Sequence, residues 1–379
     1  MNRPLSLFDT VAAVAAELRQ TAGYHDATGA FPFANFARLH QAGLLGLTVA
    51  RQYGGRGGRL ADATAVIGGI AAAEPSTALV LAMQYIHHAT MDGRGWPAEL
   101  AARLGREAVA DGALINSLRV EPELGTPARG GLPATTARRV EGGYRLSGRK
   151  IYATGIPILS WAVVWARTDD ADPLAGPFLV RADAPGVQVV ETWNHLGMRA
   201  TGSHDVVFDD VFVPSEHAID LRRPAAWGGP DPLHQAWNSL LIAALYDGVA
   251  RAGRDWLVGF LHARVPANLG APLATLPRMQ QALGEIDGLL AANARLIRTA
   301  ARDADDGEVI GTTESALLKS TVTGNAIAAV EAAVRLAGNP GLSRDNPLER
   351  HYRDVLCARI HTPQDDMAWA AAGRLALGL

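Results

Sequence analysis

The amino-acid sequence predicts an α+β fold in which helices come first, a small antiparallel β barrel or sandwich follows, and a bundle of long helices closes the chain. Residues 114–214 form the long part whose apolar residues alternate or cluster in strand-like runs between Gly, Pro and Asp. Long helical patterns flank it on both sides. The expected divisions are therefore an N-terminal helical domain over 1–113, a middle β domain over 114–220 and a C-terminal four-helix bundle over 221–379.

At 379 residues the chain is long for one core, so closely apposed subdomains are expected. Although 48% of its residues are hydrophobic, no apolar run approaches the roughly 18 residues needed to cross a bilayer. Arg3, Asp9, Glu17 and Arg19 punctuate an amphipathic start that is unlike a signal peptide, which predicts a cytoplasmic location. A net charge of -3 gives no general reason to expect nucleic acid or an anionic membrane as partner. Lysine occurs only at 150 and 319, the other basic residues being Arg, so an isolated Arg is weak evidence for an anion site. The lone Cys357 excludes an internal disulfide and a Cys-rich metal cluster, and reads as a small packed hydrophobe in a helix.

In chain order, helices are expected over 7–21 and 32–42, with 43–49 as a buried connector. The glycine cluster from Tyr53 to Gly58 lacks the Lys-Ser/Thr of a nucleotide loop and reads as a tight interhelical turn. Helices follow over 60–73 and 75–91, the second with Ser76 and Thr77 able to satisfy first-turn donors. His87 and His88 lie in an otherwise apolar stretch of it. Adjacent helical positions point about 100° apart, so the two cannot share one small site, and a metal pair would want a spacing of four. Both are satisfied by backbone or interface contacts, or else one of them faces a ligand.

Strand-like runs follow at 144–155, 161–166, 178–180, 187–190 and 205–208, separated by turn residues. From 232 onward the periodicity is helical again, over 233–263, 276–303, 312–337, 348–360 and 365–377, with long Ala-rich faces that suit close packing within and between subunits.

The order of these parts, and several motifs inside them, resemble the acyl-CoA dehydrogenase superfamily over nearly the whole length. Val120-Glu121-Pro122-Glu123-Leu124-Gly125-Thr126-Pro127 is similar to its Thr-Glu-Pro-x-x-Gly-Ser-Asp segment. Residues 150–155 are similar to its Lys-x-Trp-Ile-Thr-Asn flavin strand, and 197–203 with 211–214 to the end of its β domain. The resemblance implies that Tyr152 stands where an aromatic lies against the flavin ring, and Thr154 where a hydroxyl approaches its N5 edge. It places Ser117 and Val120 on positions that contact flavin mainly through backbone, and Gly125 and Thr126 where a Gly-Ser pair meets phosphate. That set makes physical sense as an aromatic face, a hydroxyl at the ring edge and a close-approach glycine. It further implies a homodimer or homotetramer in which the loop Asn268-Leu269-Gly270-Ala271-Pro272-Leu273 completes the neighbour's flavin pocket.

Three departures from the family pattern carry the functional expectation. The usual Arg-x-x-Phe-Gly, whose Arg holds the FAD pyrophosphate, reads Pro266-Ala267-Asn268-Leu269-Gly270. Where a Gln precedes a glycine pair, the chain has Arg335-Leu336-Ala337-Gly338, so either Arg335 replaces the missing charge or FMN replaces FAD. Where the dehydrogenases carry a Glu base, the register gives Ile360-His361-Thr362-Pro363, and a threonine has no basicity near neutral pH. Some members carry the base on an earlier helix, but Trp237-Asn238-Ser239-Leu240-Leu241 offers no carboxylate there.

The pattern comes nearest to the flavin-dependent monooxygenase branch of the fold, the dibenzothiophene monooxygenases and amino-sugar nitrososynthases. It implies a two-component enzyme that takes reduced flavin, FMN before FAD, from a separate reductase and uses O2 on a small organic substrate. His361 would protonate or orient the flavin peroxide, Thr154 would hold the N5 edge, and His88, chosen over His87, would complete the pocket. Alternatives are a helix-end or intersubunit contact for His361, a dehydrogenase or oxidase with an unrecognised base, and a catalytically silent flavin-binding subunit. No Gly-x-Gly-x-x-Gly motif for a nicotinamide cofactor is present, which fits an external source of electrons.

Overall fold

The computed structural model describes residues 6–91, 95–123 and 131–379. Helix α1, Leu7–Thr28, starts where the Ser6 hydroxyl accepts a hydrogen bond from Asp9 N and ends at Gly29 in the left-handed region. It runs past the expected end at 21 because Ala22 continues its buried face and Gly29 supplies the stop. Helix α2 spans Phe33–Gln41, and the connector after it is buried through Leu44, Leu45, Leu47 and Val49. The glycine cluster folds back on that connector, with Gly57 N and Gly58 N donating to Val49 O and Leu47 O. A Cβ on Gly55 would lie 2.1 Å from Val49 O, so the turn is a close backbone contact that only glycine allows.

Helix α3 spans Leu60–Ala71 and α4 spans Pro75–Thr90. The first turn of α4 is capped by the Glu74 carboxylate, which accepts from Ser76 N, Thr77 N and the Thr77 hydroxyl. The expected cap by Ser76 and Thr77 is thus replaced by a stronger, charged acceptor one position earlier. Helix α5, Ala98–Ala110, was not expected. Its buried face of Leu100, Ala101 and Leu104 packs on a satellite core with Trp161, Val163 and Leu179.

The sheet comprises β1 Leu114–Leu118, β2 Thr136–Val140, β3 Gly143–Lys150, β4 Leu159–Thr168, β5 Ala175–Arg181, β6 Val187–Val190 and β7 Asp205–Pro214. Their order is β1-β4-β2-β3-β7-β6, with β5 also paired to β4. The α+β class stands, but the sheet is mixed and its hydrogen-bonded path does not close. β1 and β2 both run parallel to β4, while the remaining pairs are antiparallel. Alternation within a strand reports which face is buried and carries no information on the direction of its neighbour, which is why strict antiparallel pairing was expected.

Six helices follow: α6 Pro232–Ala263, α7 Pro277–Asp305, α8 Thr312–Ala337, α9 Asn339–Leu342, α10 Pro347–Leu356 and α11 Asp365–Leu377. α6 is the axis, packing on α8, α7 and α10 of the bundle and on α3 and α4 of the N-terminal part. Its centre, from Leu240 through Tyr246 to Val249, is buried, and one apolar cluster runs through all parts of the chain. Among the described residues no helix is long and apolar enough to cross a membrane.

Both lysines of the chain are fully buried. Lys150 Nζ lies 2.6 Å from Glu121 Oε1 and donates to Trp165 O, while Glu121 also accepts from Ala134 N, Thr135 N and the Thr135 hydroxyl. The pair ties the end of β3 to the segments on either side of 124–130. Burial pushes the lysine down to about 8 against the opposing pull of Glu121. Lys319 Nζ donates to Ala358 O at 2.9 Å and lies 3.4 Å from Asp365.

Candidate active site

After Lys150 the chain leaves the sheet in a tight turn. Ile151 N donates to Val120 O, Ala153 N to His204 O and Gly155 N to Thr201 O. Tyr152 sits at φ 59 within it, a conformation that costs a bulky residue about 1–3 kcal/mol and marks functional sites more often than structural ones. Its side chain is 52% exposed and stands edge-on to Trp193 and His195, which stack on each other at 3.7 Å. A Cβ on Gly155 would lie 2.8 Å from the Val80 side chain, so α4 packs directly against the turn.

Thr154 lies between this aromatic group and a row of hydroxyls. Its carbonyl accepts from Asn116 Nδ2 at 3.0 Å, which fixes the turn to β1. Its Oγ1 is 3.0 Å from Ser203 Oγ, which is 2.8 Å from Thr201 Oγ1, and Thr201 donates to Met198 O at 3.0 Å. Ser117 and Val120, on and just after β1, lie on segments hydrogen-bonded to this turn, so Ser117, Val120, Tyr152 and Thr154 belong to adjoining segments.

The helical side joins at Met198, whose N–H donates to Asp354 Oδ1 of α10 at 2.7 Å. Asp354 is buried, and burial pushes its carboxyl up to about 7. Seven residues on (354 to 361), His361 Nδ1 lies 2.7 Å from the hydroxyl of Tyr246, in the buried centre of α6. Burial holds the phenol well above its usual range, so it stays protonated, and its hydrogen is satisfied only by donating to Nδ1. The imidazole hydrogen therefore resides on Nε2. Burial, helped by the charge of Lys319, pushes His361 down to about 4, so it is a neutral donor at neutral pH. Of the roles expected for His361, this geometry favours orientation through Nε2–H.

The positions at which the family pattern places a general base adjoin one another here. Asn238 Nδ2 of α6 donates to Thr362 O at 2.7 Å, so the stretch 237–241 and the Thr362 position meet, and neither holds a carboxylate. Among the described residues, no carboxylate is hydrogen-bonded to Thr154, Ser203, His361 or Thr362.

His88 is half-buried with its Nε2 enclosed and without a hydrogen-bond partner among the described residues, and burial pushes it down to about 4. His87 is buried and has a partner. The two flank Gln84, which holds Ala113 O and Ile115 N beside β1. Leu269 lies in the loop between α6 and α7, Arg335 is exposed near the end of α8, and Gly338 caps that helix with φ 66. Within one chain these residues make no hydrogen bond or ion pair to the Thr154 group. Gly125 and Thr126 lie outside the described residues. Cys357 falls in the short 3-10 segment after α10, half-buried, with its thiol pushed up to about 12 by burial, so it is unreactive. Among the described residues no cluster of His, Cys, Asp or Glu could hold a metal.

Sequence reasoning gave no role to Ser203, Thr201, Asp354 and Tyr246. Asp354 was visible only as part of the Arg353-Asp354 motif, and Tyr246 only as a polar-tipped residue in an apolar helix.

The arrangement fits a flavin ring. An exposed aromatic on a constrained turn, a hydroxyl two residues on and the terminal strand β1 beside them supply the apolar face and the polar contact that such a ring needs. Comparison with known proteins agrees. The N-terminal, middle and C-terminal domain models of acyl-CoA dehydrogenases match residues 6–92, 120–211 and 240–365. A putative acyl-CoA dehydrogenase, YdbM of Bacillus subtilis, is 33% identical over 94% of this chain and 93% of its own. The L-evernosamine nitrososynthase of a Micromonospora species is 32% identical over 94% of this chain and 86% of its own. The structure of KijD3 in complex with FMN and dTDP-3-amino-2,3,6-trideoxy-4-keto-3-methyl-D-glucose superposes with a TM-score of 0.85 at 31% identity, covering 98% of this chain and 93% of that one. With the domain models matched in order and relatives this similar along nearly its whole length, the chain belongs to the acyl-CoA dehydrogenase family of flavin-dependent oxidoreductases.

Proposed function

We propose that this protein is a two-component monooxygenase: it receives reduced flavin, FMN in preference to FAD, from a separate reductase and oxygenates a small organic substrate with O2. The observation that carries this reading is that neither 237–241 nor 360–364, the two stretches where the family's dehydrogenases keep their base and which the Asn238–Thr362 hydrogen bond joins here, holds a carboxylate. Amine nitrogen is the first substrate group to try, ahead of sulfur and activated carbon, because the Micromonospora relative is a nitrososynthase. The preference for FMN rests on Pro266 and Leu269, which stand where the pattern has Arg and Phe.

When bound, reduced flavin supplies two electrons and activates O2. The residues that would hold it are Tyr152 at one ring face, Thr154 at the N5 edge and the peptide groups of Ser117 and Val120, with a phosphate-binding role for Gly125 and Thr126 carried over from the family motif. His361, held by Tyr246, would offer Nε2–H to the oxygen that reacts, and His88, whose Nε2 is enclosed and without a hydrogen-bond partner, would complete the pocket. Leu269, Arg335 and Gly338 serve the pocket of a neighbouring copy in a homodimer or homotetramer, in the cytoplasm.

The experiment is to supply chemically reduced FMN with O2 and an amine panel, and in parallel to mix the oxidised protein anaerobically with acyl-CoA thioesters. Oxygenated product in the first arm supports the proposal; bleaching of the flavin by a thioester in the second overturns it in favour of a dehydrogenase. The Bacillus relative keeps that second reading open, with FAD retained through purification as its signature. A full yield from His361→Ala, with no extra hydrogen peroxide, removes His361 from the mechanism.

A further inference from the structure

The hydroxyls beside Tyr152 form a chain with a fixed direction. It contains three O···O contacts, Thr154 to Ser203 at 3.0 Å, Ser203 to Thr201 at 2.8 Å and Thr201 to Met198 O at 3.0 Å. Each contact at this distance needs one hydrogen between its oxygens, since two bare lone pairs would repel. The carbonyl has none to give. Thr201 must therefore donate to Met198 O, Ser203 to Thr201, and Thr154 to Ser203. Thr201 and Ser203 are buried, so water does not offer either an alternative partner. Thr154 is left with lone pairs alone for any further partner.

We propose that Ser203 and Thr201 are positioning residues that make Thr154 a hydrogen-bond acceptor, and that the site thereby selects reduced over oxidised flavin. Nitrogen N5 of a reduced flavin carries a hydrogen and can donate to such an oxygen. N5 of an oxidised flavin is itself an acceptor and meets it lone pair to lone pair. Selection of this kind suits a protein that takes flavin already reduced, and the inference rests on the flavin site proposed above. It does not depend on what is then oxygenated.

The test measures binding and needs no turnover. Purified protein is titrated with oxidised FMN in air and with reduced FMN under anaerobic conditions, and the ratio of the two dissociation constants is compared between variants. The wild type is expected to hold reduced FMN at least about tenfold more tightly, one hydrogen bond being worth roughly that factor. Ser203→Ala frees the Thr154 hydrogen to turn toward the ring, and the ratio should fall by about tenfold. Ser203→Thr should restore it. Thr201→Val frees the Ser203 hydrogen and gives the same fall one link further back, which keeps the test open should Ser203→Ala not fold. A ratio unchanged in a folded Ser203→Ala or Thr201→Val protein overturns the proposal, as does a wild type that binds both forms equally. Failure of the monooxygenase reading would appear elsewhere, as thioester-driven bleaching with the ratio intact.

Discussion

Two walls meet at the Met198–Asp354 hydrogen bond, and they are built differently. The sheet wall is closed upon itself: Lys150 is matched by Glu121, the Thr154 carbonyl by Asn116, and the hydroxyls by one another. The helical wall is more open. His361 is anchored by Tyr246 at one nitrogen only, Thr362 is exposed, and Lys319 holds a carbonyl and a partly exposed aspartate. The difference teaches which wall is a mould and which is adjustable. Polar groups that satisfy each other rigidify a surface and suit it to one fixed ring, whereas groups with a free side are available to a substrate.

The largest effect expected from this contrast concerns the two lysines. Lys150 and Glu121 are 0% and 1% exposed and 2.6 Å apart, so Lys150→Met strands a buried carboxylate and should cost about 3–5 kcal/mol. Lys319 is equally buried, but Asp365 is 23% exposed at 3.4 Å and can take up water. Lys319→Met should cost about 1–2 kcal/mol, mostly for the stranded Ala358 carbonyl. Urea unfolding of both variants decides the matter, and equal losses would break the contrast.

The sheet wall was the more legible in the sequence. Tyr152 and Thr154 lie within one short motif, and a strand ending in a turn keeps neighbours in sequence together in space. The helical bundle was legible as periodicity, with α8 and α11 found at their observed ends. Its chemistry was not, because Tyr246 meets His361 across 115 residues and Met198 meets Asp354 across 156, and no periodicity records such pairs. What the sequence did show on this wall was an absence, the missing carboxylate at Thr362. Helix α5 went unread although its spacing of Leu100, Leu104 and Ala108 is helical, since it lies directly against the strand-rich segment.

A smaller effect tests the joint between the walls through pH. Asp354 has a carboxyl at about 7 in the folded chain against 3.8 as its ordinary value, so between those limits the folded state holds a proton that the unfolded state has released. Stability contributed at this residue therefore falls as pH rises from about 4 to 7. Asp354→Asn keeps an oxygen for Met198 N–H and removes the charge. The variant should match the wild type near pH 4 and exceed it above pH 7 by on the order of 4 kcal/mol. Unfolding midpoints at these pH values supply the comparison, and a variant less stable at every pH would mean that the ionised carboxylate, rather than its protonated form, holds the walls together.

The smallest effect sharpens the open wall. Tyr246→Phe removes one hydrogen bond and should lower stability by only about 1 kcal/mol, because Nδ1 loses its donor while the ring keeps its packing. It also frees His361 to take either tautomer, and Nε2 is then a donor only part of the time. On the proposed monooxygenase reading, product per reduced flavin should drop a few-fold, with hydrogen peroxide rising to match, while flavin affinity, assigned in that proposal to the sheet wall, stays constant. A neutral His361, at about 4, contributes no ionisation near 6.5 to the pH profile of the yield. An inflection near 6.5 that disappears in His361→Ala would show that the residue is charged in the working enzyme, and the helical wall would then supply a proton as well as a direction.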